Sequence, residues 1–70
     1  MYVAITTTNA RQNGYRQVCQ GEIKADLRDA AERKICGNFW GKAKPIEIET
    51  ELINLRIVTA TEARRKYKIT

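Results

Sequence analysis

The chain has 70 residues, of which 43% are hydrophobic and 30% charged, and a formal net charge of +5 at pH 7. That length allows one small domain burying only about 60% of its unfolded surface, so a thin stability margin is expected, and a homodimer would widen it. No apolar run approaches the ~20 residues of a membrane span, and "MYVAITTTN" has neither a basic n-region nor a small-residue cleavage site, so the expected compartment is the cytoplasm.

Tyr2 to Thr8 is rich in β-branched residues, with Val3, Ile5 and Thr7 alternating against Tyr2, Ala4 and Thr6, and reads as a strand. Asn13-Gly14 then predicts a two-residue type I′ hairpin turn, because both central positions of that turn need positive φ. Counting outward from it sets Arg11 opposite Arg16, Thr8 opposite Cys19 and Ala4 opposite Ile23. Like charges facing each other across a ladder cost a little stability. Residues 15–25 form the second strand, with Gly21 as a bulge.

"DLRDAAERKICG" predicts a helix capped by Asp26, with Leu27, Ala30, Ala31 and Ile35 on one face and Gly37 as its stop. Beyond the loop "NFWGKAK", Ile46 and Ile48 alternate with Glu47 and Glu49, which predicts a half-buried strand with an acidic outer face. Ile53, Leu55 and Ile57 suggest a further strand, although "ETEL" between the two offers no turn residue. Thr59 followed by Glu62 is a capping box, so a last helix is expected from Ala60 to about Tyr67. The expected fold is therefore α+β: a small antiparallel sheet (a ββα start, then a strand or hairpin) with one packed helix and a short basic C-terminal helix. Leu27, Ala31 and Ile35 should pack on a core from Val3, Ile5, Ile46, Ile48, Leu55 and Ile57.

Much chemistry drops out early. The chain has no histidine, which removes the commonest general base, every Ser–His or Cys–His pair and the commonest zinc ligand. Cys19 and Cys36 cannot complete a tetrahedral site by themselves and are read as free, buried thiols. Glu47, Glu49 and Glu51 would share one strand face, best read as a solvated face that resists edge pairing. "GNFWGKA" fails as a phosphate loop because only three residues separate its glycines and Ala43 follows Lys42. No enzyme activity, cofactor or metal is expected.

Binding surfaces remain. The basic excess sits at the two ends of the chain: Arg11 and Arg16 near the start, and Arg64, Arg65, Lys66 and Lys68 against Glu62 near the finish. At the hairpin tip Arg11 and Arg16 suit phosphates, Asn13 and the nearby amides suit polar edges, and Tyr15 suits stacking. The C-terminal "EARRKYKIT" would pack Ala60, Ala63 and Tyr67 inward and spread its cations outward, an electrostatic footprint for nucleic acid or an acidic protein. In "NFWGKAK", Phe39 and Trp40 beside Lys42 and Lys44 make a third candidate. "TATEARRKYKIT" resembles the first helix and turn of a helix-turn-helix domain; the recognition helix would fall past Thr70, so no base-reading role is carried over.

Two function classes follow. One is a small basic module that contacts nucleic acid through phosphates with low sequence specificity, using Arg11, Asn13, Tyr15, Arg16, Arg64, Arg65, Lys66 and Lys68. The other is a protein-interaction module, a regulator or inhibitor of the kind mobile elements encode, which docks the same basic face on an acidic or nucleic-acid-handling partner.

Overall fold

Alternation of β-branched and small residues from Tyr2 makes the first strand, β1 (Tyr2–Thr6), and it becomes the centre of the sheet. The computed structural model describes residues 1–7, 14–37 and 44–69. Its elements run β1, β2 (Arg16–Gly21), α1 (Lys24–Gly37), α2 (Pro45–Asn54), β3 (Arg56–Thr59) and α3 (Ala60–Arg65). The sheet is antiparallel with strand order β2-β1-β3, and the fold is α+β. No described helix is long and apolar enough to cross a membrane.

The register between β1 and β2 differs from the one the Asn13-Gly14 turn predicts. Thr6 pairs with Arg16 and Ala4 with Cys19, so residues 7–15 join the paired positions and Arg11 does not face Arg16 in this ladder. Asn13 itself lies outside the described residues. The bulge falls between Ala4 and Ile5, where Val18 is the extra residue on β2, rather than at Gly21, which pairs with Tyr2. A bulge resets the alternation. Val18 and Cys19 can therefore both lean on the same core, Val18 buried and Cys19 half-buried.

Each sheet face carries its own cluster. On one side, α1 and α2 enclose Ala4, Val18, Leu27, Ala31, Ile35, Ile48 and Leu55. Leu27, Ala31 and Ile35 recur at helical spacing and are all buried, as their pattern predicts, while Ala30 is exposed. On the other side, Val3, Ile5 and Val58 meet Ala63 of α3, with Tyr15, Tyr67 and Ile69 at the margin.

The strand expected at residues 46–49 is helix α2, and a second helix thus packs on the sheet. Pro45 sits in its first turn, where a missing N–H costs nothing, and Glu47 there meets the positive end of the helix dipole. The alternation of Ile46 and Ile48 is too short to separate a period of 2 from 3.6. The longer pattern is helical: Ile48, Glu51 and Leu55 are buried and Leu52 is half-buried, whereas Ile46 and Ile53 are 65% and 69% exposed. Ile46 is accordingly not a core residue. Cys36, expected to be buried, is exposed, and both thiols are free.

Glu51 does not belong to a solvated acidic face. It is 5% exposed and pairs with the Arg16 guanidinium. Its backbone carbonyl accepts from Thr6 Oγ1 at 2.6 Å, and Asn54 Nδ2 donates to the Thr7 carbonyl at 3.0 Å. A polar seam thus fixes α2 against the end of β1.

Candidate nucleic-acid interface

Tyr15 immediately precedes β2 and Arg16 opens it, and the two side chains go to opposite sides of the sheet. Arg16, opposite Thr6, turns toward α2 and Glu51. Tyr15 packs with the α3 cluster on the other side. The arginine proposed from sequence as a phosphate contact is thereby committed to an internal carboxylate, with about half of its side chain still exposed.

A short helix brings the far end of the chain to Tyr15. Thr59 Oγ1 accepts from the Glu62 N–H at 3.1 Å, the cap its sequence predicts, and Ala63 is buried against the sheet. The helix ends at Arg65, two residues before the expected end. Lys68 then takes φ 57, and the Ile69 N–H donates to the Ala63 carbonyl at 3.0 Å. That turn folds Tyr67 and Ile69 back onto the cluster of Val3, Ile5 and Val58.

Tyr15 and Tyr67 meet edge to face, with ring centroids 4.8 Å apart and planes at 65°. With Lys66 and Lys68 they line an open cleft of about 420 Å³. Lys66 Nζ lies 5.7 Å from the Tyr67 ring centroid. A separate notch of about 160 Å³ is lined by residues that include Gln17, Gln20, Arg64 and Ile69. Among the described residues, Arg64, Arg65, Lys66 and Lys68 form no ion pair, and all four are exposed.

Of the residues singled out from sequence, then, Tyr15, Lys66 and Lys68 share one cleft, Arg64 lines a separate notch and Arg65 lies on the same short helix as Arg64. Arg16 stands apart on the other sheet face. Arg11, Asn13 and the Phe39-Trp40-Lys42 candidate lie outside the described residues. Sequence reasoning missed Tyr67 and Gln20 as lining residues. The signal for Tyr67 was its place among four cations; its helical spacing from Ala60 and Ala63 pointed instead to inward packing. Among the described residues no three His, Cys, Asp or Glu side chains converge as metal ligands.

Comparison of the chain with protein families, curated proteins and solved structures finds no match.

Proposed function

We propose that the protein is a small non-enzymatic module that binds single-stranded RNA or DNA through phosphates, with low sequence specificity, at the Tyr15–Tyr67 cleft. The supporting observation is the meeting of two half-buried tyrosine rings with Lys66 and Lys68 in one cleft, close in sequence to Arg64 and Arg65, with none of the four cations in an ion pair among the described residues. Rings offer a stacking surface to any base, and cations track the backbone, which together make a sequence-tolerant site.

Fluorescence anisotropy with an oligonucleotide of about 12 nucleotides tests this reading. With Arg64, Arg65, Lys66 and Lys68 each meeting a phosphate, log affinity should fall with log salt at a slope of about −3. The Arg64→Ala, Arg65→Ala double variant should reduce that magnitude by about 1.4. Binding undetectable at about 50 mM salt would reassign the cations to an acidic protein partner, whose association they would accelerate.

A further inference from the structure

The sheet has a second surface away from the tyrosine cleft. β3 pairs with β1 on one side and with no described strand on the other. The Ala60 N–H donates to the Met1 carbonyl at 3.1 Å, which sets the phase of the ladder. Hydrogen-bonded pairs alternate in an antiparallel ladder, so Val58 with Val3 and Arg56 with Ile5 bond across. The backbone N–H and C=O of Ile57 therefore point outward, away from β1.

Beside this edge runs an open groove of about 530 Å³, lined by Lys24, Ala25 and Arg28 of α1 and by Leu55, Arg56 and Ile57. Its floor is apolar and its three charges are all positive. None of the three forms an ion pair among the described residues. Arg56 is held in place because one guanidinium nitrogen donates to the Ile53 and Leu55 carbonyls at 3.3 and 3.2 Å, leaving its other donors unused by those contacts. Lys24 Nζ sits 5.2 Å from the Tyr2 ring centroid.

We infer that the β3 edge docks an extended acidic segment of a partner protein, which adds a fourth strand. Main-chain bonds to Ile57 supply the pairing, alternate apolar side chains enter the groove over Leu55 and Ile57, and carboxylates meet Lys24, Arg28 and Arg56. A second copy of the chain is the poorer occupant, because it would bring these same cations against each other. Nucleic acid offers no strand to pair with Ile57.

The probe is a labelled peptide of alternating glutamate and valine, about eight residues long. It should bind in anisotropy, and its Glu→Lys counterpart should not. Lys24→Glu with Arg28→Glu should weaken it about tenfold or more, with circular dichroism confirming the fold. Hydrogen exchange on the unaltered protein decides the matter even if that variant fails to fold: the Ile57 amide should gain protection with the peptide bound. Peptide binding without protection of Ile57 would overturn the proposal. So would protection of Ile57 by an oligonucleotide, or by self-association without peptide. Because Arg64→Ala with Arg65→Ala should leave peptide affinity unchanged, failure here is distinguishable from failure of the nucleic-acid reading.

Discussion

The two faces of the sheet use the same residue types for different ends. Toward α1 and α2, a cluster that includes Leu27, Ile35, Ile48 and Leu55 is closed, and its one buried carboxylate, Glu51, captures Arg16. Toward α3, a six-residue helix covers Val3, Ile5 and Val58 with little more than Ala63, and its Arg64 and Arg65 form no ion pair among the described residues. The larger buried cluster therefore lies on the first face, and the Tyr15–Tyr67 cleft with Lys66 and Lys68 on the second. An arginine's role is set by which face its backbone position gives it. Tyr15 and Arg16, one residue apart, fall on opposite sides of that division.

Core truncation should expose the difference most sharply. Leu27→Ala removes a buried side chain of α1 and should cost ~2–5 kcal/mol, enough to unfold much of a domain this small. Ala63→Gly on the α3 side should cost only about 1 kcal/mol, mostly helix propensity. Urea denaturation measures both, and equal losses would break the contrast between the faces.

The arginines give the next largest effect. Arg16→Ala leaves the buried Glu51 carboxylate without its cation, at a cost of ~1–3 kcal/mol once the half-exposure of Arg16 is allowed for. Replacing the pair together, Arg16→Met with Glu51→Leu, should recover much of that loss. Arg64→Ala should shift stability by no more than about 0.5 kcal/mol. The salt slope of oligonucleotide binding should respond in the reverse order, changing for Arg64 and holding for Arg16. An Arg16 variant that keeps full stability but loses slope would return that residue to the binding surface.

How far these faces were legible depended on the range of the signal. Local patterns carried well. The β-branched run of β1, the spacing of Leu27, Ala31 and Ile35, and the Thr59–Glu62 cap each involve neighbours on one element, and each is found in the fold. Residues 46–54 misled because two isoleucines two apart satisfy either period, while Pro45 suits both a loop and the first turn of a helix. Register was beyond reach: the Asn13-Gly14 signal predicts Arg11 opposite Arg16, but the bulge at Val18 and the nine residues between Thr6 and Arg16 give a different ladder. Glu51 looked like one of three equivalent acids until a helix turned it inward. For the candidate site, the cluster of basic residues near the C-terminus was plain from composition. Its junction with Tyr15 was not, since it joins residues 52 apart in sequence through a strand register and a left-handed turn.

That left-handed turn yields the smallest effect and separates folding from binding within the α3 face. Lys68 has φ 57, a conformation that costs a side-chain-bearing residue ~1–2 kcal/mol and glycine nothing. Lys68→Gly relieves this strain but gives the unfolded chain more freedom, an opposing term of about 0.5–1 kcal/mol. The net expectation is a gain of about 0.5 kcal/mol, or a melting midpoint ~2–4 °C higher. The same change removes one cation from the cleft, so the salt slope should fall in magnitude by about 0.7. Most changes that weaken a site by damaging its scaffold lower both quantities together. A more stable, weaker-binding Lys68→Gly protein would therefore show that Lys68 is kept at a strained position for its charge. A variant that melts higher and binds oligonucleotide with the original slope would remove Lys68 from the interface, leaving Arg64, Arg65 and Lys66 to account for it.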